Sequence, residues 1–243
     1  MFKLSLAPQD LGSTEARRAA LAELIATFAF VFVGAGTVVV SGKFLGSEDL
    51  TPARLVAIAL AHGLGIAVFV AAFARFSGGH LNPAVTISAV LTGKMGAVKG
   101  AMYILAQLVG AGLAAFLLKS ILPADIQGNL GAHALGAVNN VGAGLLVEIV
   151  LTFFLVFVIF ATAIDPKGPR HFAPFAIGLV VLFDHLVGVP LTGASMNPAR
   201  SFGPALAVGA WADHWIYWVG PIGGGLIAAF VYQGLFLSKE ERA

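Results

Sequence analysis

Of the 243 residues, 58% are hydrophobic and only 11% charged, a balance that excludes an ordinary soluble domain, in which about a quarter of residues carry charge. Fourteen Lys and Arg against twelve Asp and Glu leave a formal charge of +2. No basic run is interleaved with aromatics, so nucleic-acid binding has no support, and the absence of cysteine excludes disulfides and thiolate metal sites.

A bilayer core about 30 Å thick needs roughly 20 mostly apolar residues in a spanning helix. Residues 1–18 form a polar tail of mixed charge without the pattern of a cleavable signal peptide, so the first span is expected to direct insertion. In chain order the sequence predicts spans at Ala19 to Ser41, Leu55 to Phe73, Ala101 to Lys119, Val141 to Ala163, Phe172 to Val189 and Trp215 to Leu237. Between them lie two shorter apolar pieces, Asn82 to Leu91 and Asn197 to Val208. Each opens with a proline and is too short to cross, which predicts re-entrant structure.

Six spans put both termini on one side. Lys3, Arg17, Arg18, Arg75, Lys94, Lys99, Lys167, Arg170, Lys239 and Arg242 share one face, against Lys43, Arg54, Lys119 and Arg200 on the other. The positive-inside rule then predicts cytoplasmic termini.

The chain also repeats itself. A first three-span unit, 19–122, and a second, 141–237, flank a connecting extracellular loop, 123–140, and a C-terminal tail, 238–243, completes the division. Glu23, Thr27, Phe28, Phe30 and Phe32 in the first span have counterparts in Glu148, Thr152, Phe153, Leu155 and Phe157 in the fourth. Downstream, Ser77 to Thr86 aligns without gaps to Thr192 to Ser201, and the triplets Asn82-Pro83-Ala84 and Asn197-Pro198-Ala199 coincide. An odd number of spans per unit makes this an inverted repeat, whose working site is expected near the bilayer midplane.

Asn is a favoured helix N-cap and Pro a favoured first helical residue, so each triplet predicts the start of a short helix. Two such helices dipping in from opposite faces bring Asn82 and Asn197 to one lumen, with two positive dipole ends aimed at it. Each Asn oxygen caps its own helix, leaving its amide free to donate to a passing oxygen. The small residues ahead of the triplets, Gly78, Gly79 and His80 in one half and Gly193, Ala194 and Ser195 in the other, are predicted to turn their carbonyls toward a water-filled cavity. A row of acceptors leading to two donors suits water in single file and interrupts proton hopping.

Among single residues, Arg200 in an apolar half-helix is costly unless it lines a water-filled path, where its charge repels cations. Glu23 and Glu148 are intramembrane carboxylates, read either as proton relays or as acceptors for unpaired backbone donors of the re-entrant segments. His80 reads as a strut for its loop. The glycine pairs Gly34 with Gly36, Gly110 with Gly112, and Gly220 with Gly224 predict close helix approach, and Asp184 receives no role.

With these motifs the chain resembles the aquaporin, or major intrinsic protein, family from about Arg17 to Leu237. The segments Ser-Gly-Gly-His-Leu-Asn-Pro-Ala-Val-Thr and Gly-Ala-Ser-Met-Asn-Pro-Ala-Arg-Ser-Phe-Gly-Pro-Ala carry the resemblance. It implies an all-α membrane protein, a right-handed bundle of six transmembrane helices with two re-entrant half-helices, assembled as a homotetramer in the lipid bilayer with one pore per subunit.

The resemblance also implies a selectivity filter which, counted from the two Asn residues, falls on His62, His185, Ala194 and Arg200. Histidine at position 62, where water-selective members commonly have Phe, is similar to the plant vacuolar subgroup, although that subgroup usually has an apolar residue where this chain has His185. Ser201, where glycerol facilitators have Asp, speaks against that branch. His133 is a further filter candidate, with an ordinary exposed loop histidine as the alternative.

The implied activity is a passive channel for water, with ammonia or another small neutral solute as a further cargo, excluding protons and ions and needing no cofactor or metal. The cell membrane is the first expectation for its host and a vacuolar-type membrane the second. A proton-coupled secondary transporter using Glu23 and Glu148 is the alternative class. An enzyme is not expected: no strained Gly-x-Ser-x-Gly turn, His-Glu-x-x-His or metal-ligand cluster occurs.

Overall fold

A computed structural model describes residues 4–44 and 49–238. Lys3, Lys239 and Arg242, counted above in the charge distribution, lie outside the described residues. Among the described residues a short 3-10 turn, Pro8–Gly12, precedes eight α-helices: α1 Thr14–Phe44, α2 Pro52–Ser77, α3 Pro83–Leu91, α4 Ala97–Ile121, α5 Val141–Ile159, α6 Ala173–Thr192, α7 Pro198–Val208 and α8 Ile216–Leu235. A π turn, Phe160–Ile164, extends α5. All except α3 and α7 are long and apolar enough to cross a membrane. With nine residues in α3 and eleven in α7, these two reach about 14–17 Å at 1.5 Å per residue, half a bilayer core.

Several helices start earlier than the apolar pattern indicates, because their first turns are held by polar groups that a hydropathy window discounts. α1 begins at Thr14, where the Ser13 hydroxyl accepts from the Ala16 N–H at 3.2 Å. α2 begins at Pro52, capped by Thr51, whose hydroxyl accepts from the Arg54 N–H. α4 begins at Ala97 because the carbonyls of Ser5 and Leu6 accept from the Ala97 and Val98 N–H groups at 2.8 and 3.1 Å, satisfying donors that a helix N-terminus leaves unpaired. At the other end, α2 and α6 stop at Gly78 and Gly193, both left-handed with φ of 90° and 87°, a conformation glycine adopts without a Cβ penalty.

The helices pack as two related halves: α1 lies against α2 and α4, α5 lies against α6 and α8, and α2 meets α6 across the centre. The half-helix α3 seats against α4 and α8, and α7 against α4. Close approach occurs where glycine removes a side chain. A Cβ on Gly110 of α4 would strike the Leu24 carbonyl oxygen of α1, and one on Gly224 of α8 would strike the Ile149 carbonyl oxygen of α5. Gly34 departs from the expectation of close helix contact, since a Cβ there would meet the imidazole of His62 rather than another helix backbone.

Side-chain polarity runs opposite to that of a soluble bundle. Large apolar residues such as Leu21, Val68, Leu105 and Phe183 face outward, while Glu23, Gln107, Glu148, Asp184 and Arg200 are buried, the pattern that a lipid surround selects. Replacing Gly224 with Ala is expected to lower the thermal midpoint in detergent and the yield of folded protein, through overpacking worth about 1–3 kcal/mol. Gly12→Ala, whose Cβ meets nothing within 4 Å, should leave both unchanged.

Candidate functional site

Between α2 and α3, and again between α6 and α7, the backbone leaves helical geometry at membrane depth. Leu81, Ala194 and Met196 have φ of 53°, 57° and 51°, so their amides cannot be paired within a helix. Two buried carboxylates pair those of Leu81 and Met196, while the Ala194 N–H donates to the Thr192 hydroxyl at 3.3 Å. Glu23 on α1 accepts at Oε1 from the Ser77 hydroxyl (2.6 Å) and the His80 N–H (2.9 Å), and at Oε2 from the Leu81 N–H (2.7 Å) and the Gln107 amide (2.8 Å). Glu148 on α5 accepts at Oε1 from the Thr192 hydroxyl (2.7 Å) and the Ser195 N–H (2.9 Å), and at Oε2 from the Met196 N–H (2.9 Å).

The repeat extends to a pair of tyrosines. Tyr103 donates to the Ser77 carbonyl at 2.8 Å and Tyr217 to the Thr192 carbonyl at 3.0 Å. Sequence reasoning did not single these out, yet they stand 26 and 25 residues after their acceptors, a spacing that the repeat could have revealed. With the amides turned to the carboxylates, the carbonyls of Gly78, Gly79, His80, Gly193, Ala194 and Ser195 meet no hydrogen-bond donor among the described residues.

The two Asn-Pro-Ala triplets start α3 and α7. Asn82 Oδ1 accepts from the Ala84 N–H at 2.8 Å, and Asn197 Oδ1 from the N–H groups of Ala199 (3.0 Å) and Arg200 (3.3 Å). Pro83 and Pro198 occupy the first helical positions, where no N–H is needed. The expectation that each Asn amide stays wholly free needs correction. Asn82 Nδ2 donates to the Met196 carbonyl and Asn197 Nδ2 to the Leu81 carbonyl, both at 2.8 Å. These reciprocal bonds lock one half-helix to the other, and since each amide carries two hydrogens, one on each meets no acceptor among the described residues.

On one side of this junction a polar cluster forms from α2, α6 and α7. The rings of His62 and His185 stack with centroids 4.2 Å apart at 28°. Arg200 donates from Nε to His62 Nε2 at 3.3 Å and from Nη1 to the Gly131 carbonyl at 2.6 Å. Each histidine Nδ1 sits at a helix carbonyl, Ile58 at 2.9 Å and Val181 at 2.8 Å. A carbonyl only accepts, so Nδ1 carries the hydrogen in both rings and Nε2 is left as the acceptor in a neutral ring. Ala194 lies buried in the re-entrant segment that leads to Asn197. The Gly131 carbonyl, from the connecting loop, carried no signal in the sequence.

His133 is buried, at 8% exposure, which overturns the exposed-loop alternative. Its Nδ1 is 2.7 Å from the Ser201 hydroxyl, and its Nε2 is buried without a hydrogen-bond partner among the described residues. Burial, followed by the nearby Arg200 charge, holds this imidazole well below the usual histidine value of 6.5, so it is neutral at physiological pH. His62, His133, Gly131 and Arg200 line one cavity of about 240 Å³. On the other side of the Asn pair a cavity of about 320 Å³ is lined by Gly78, Gly79, His80 and Asn82, facing apolar residues such as Val70 and Leu155. His80 is braced there by Thr86, with Nδ1 3.0 Å from the hydroxyl. Asp184 is buried on α6 with Oδ2 unpaired among the described residues, and it joins neither cavity lining. No group of three or more potential metal ligands occurs among the described residues.

Residues 10–232 match the family model described as Major intrinsic protein. Aquaporin TIP4-4 of Zea mays is 50% identical over 223 residues, spanning 91% of this chain and 88% of the relative. Probable aquaporin TIP3-2 of Arabidopsis thaliana is 46% identical over 227 residues, spanning 90% and 84%. Both are plant proteins, in agreement with the resemblance to the plant subgroup. The fold is similar to that of the aquaglyceroporin from Plasmodium falciparum, with a TM-score of 0.80 at 22% identity, covering 90% of this chain and 96% of that one. Six apolar spans, a doubled half-helix and a family match over most of their length lead to one assignment: this integral membrane protein belongs to the major intrinsic protein family, that of the aquaporins.

Proposed function

We propose that the chain is a passive water channel which also passes ammonia and excludes ions and protons. The observation that carries the reading is the meeting of two half-helix N-termini at Asn82 and Asn197, each keeping one amide hydrogen after the reciprocal lock. In this reading water is handed along the unpaired carbonyls of 78–80 and 193–195 as donor, then turns at the centre to accept from the two Asn amides. A water that accepts at both asparagines cannot pass a proton forward along the file. Two positive dipole ends disfavour cations at the same place, and Arg200, buried and positive, repels them at the outer constriction.

The filter reading assigns His62, His185, Ala194 and Arg200 to selection, with His133 as a fifth member. His62 Nε2 is occupied by Arg200, whereas His185 Nε2 has no protein partner among the described residues. A free imidazole acceptor beside a guanidinium donor suits a small solute that both donates and accepts, which favours water and ammonia over an apolar solute. The transporter alternative needs a carboxylate that exchanges protons during its cycle. Glu23 and Glu148 are instead engaged by three or four donors each, which supports a fixed structural role. A homotetramer, cytoplasmic termini and the division into units 19–122 and 141–237 complete the proposal. The plant relatives do not favour the cell membrane as host.

Stopped-flow light scattering on proteoliposomes under a sucrose gradient tests the core of it. Wild-type vesicles are expected to shrink much faster than empty ones and with a low activation energy, and shrinkage at the empty-vesicle rate would refute a water channel. Asn197→Asp keeps the cap but loses the amide donor and adds negative charge. Its water flux should fall on the order of tenfold, equal to about 1.4 kcal/mol, and a pH-sensitive dye inside the vesicles should report a proton or cation leak. His185→Phe removes the free acceptor, so ammonia entry read by internal alkalinisation should drop more than water flux does. Equal losses would separate ammonia from the histidine ring.

A further inference from the structure

We infer that Gly34, on α1 and behind the constriction, is a positioning residue for selectivity because its missing side chain makes the space in which His62 presents Nε2 to Arg200. This rests on the channel reading above and deepens it. A Cβ built on Gly34 would lie 2.6 Å from His62 Nε2, 2.8 Å from Cδ2 and 3.2 Å from Cε1, far inside van der Waals contact. Gly34 is therefore not a site of close helix approach. It is a notch in α1 that receives the edge of an imidazole from α2.

The ring has no slack on its other sides. Its Nδ1 is tied to the Ile58 carbonyl at 2.9 Å, Phe30 stands edge-on at 5.8 Å, and His185 is stacked at 4.2 Å. The atom closest to the notch, Nε2, is the one that accepts from Arg200 Nε at 3.3 Å. A methyl group in the notch must push the ring away from α1 and toward the lumen. It thereby weakens the Arg200 bond at 3.3 Å and moves the imidazole into the space a solute would use. The identity of residue 34 thus sets where the filter histidine stands, although residue 34 never touches the solute.

The test is a double-mutant cycle in proteoliposomes, with flux normalised to the amount of protein incorporated: wild type, Gly34→Ala, His62→Ala, and the two combined. Water flux in Gly34→Ala is expected to fall about fivefold, the equivalent of about 1 kcal/mol on the barrier, with ammonia flux falling further. In the His62→Ala background the same Gly34→Ala change is expected to have no effect on either flux, since the imidazole it displaces is gone. Gly34→Ala vesicles that conduct like wild type would overturn the inference. So would an equal loss of flux, or of folded protein, in both backgrounds, because that is what a merely structural glycine would give. Wild-type vesicles no faster than empty ones would instead strike at the channel reading itself.

Discussion

A peptide amide at the centre of a bilayer has no water to bond to, and leaving it unpaired costs several kcal/mol. The re-entrant segments before Asn82 and Asn197 present such amides in turns that no helix ladder can satisfy. Glu23 and Glu148 resolve this from neighbouring helices, each engaging two backbone N–H groups and a hydroxyl, with Gln107 added to Glu23. Burying a carboxylate is itself costly, and hydrogen bonds to a charged group, about 1.5–3 kcal/mol each, offset that cost only when several converge. The carboxylate and the loop are thus conditions for one another.

With the amides facing the carboxylates, the carbonyls of 78–80 and 193–195 are left without a hydrogen-bond donor among the described residues. One choice of side chain on α1 and α5 therefore sets both the shape of the half-helix entry and which backbone groups stay unpaired. Tyr103 and Tyr217 fix the last helical carbonyls before each turn, and the reciprocal Asn bonds join the two ends. The scaffold is nearly symmetric under the inverted repeat.

The side chains beside the two triplets break that symmetry. Val85 and Arg200 occupy equivalent positions in the aligned repeats, but Val85 helps form the apolar side of the 320 Å³ cavity while Arg200 is bonded to His62 and Gly131 at the 240 Å³ one. The connecting loop adds to the difference, since Gly131 and His133 line the cavity beside Arg200 and neither lines the other one. Two like halves thus meet at a symmetric centre with a charged cluster on one side alone.

The six spans, the two half-helices and the inverted repeat were legible in the sequence, because apolar length, Asn-Pro caps and gap-free self-similarity are local properties. Glu23 and Glu148 could be matched to the re-entrant segments since both repeat in step with them. What the tertiary structure alone decided are contacts across long separations. They include the Asn bonds between residues more than a hundred positions apart, the stacking of His62 on His185, the seating of Arg200 on a loop carbonyl, the burial of His133 and the notch at Gly34. No periodicity encodes these, because they depend on the angle and distance at which separate helices meet. That is settled only when every side chain between them is packed at once.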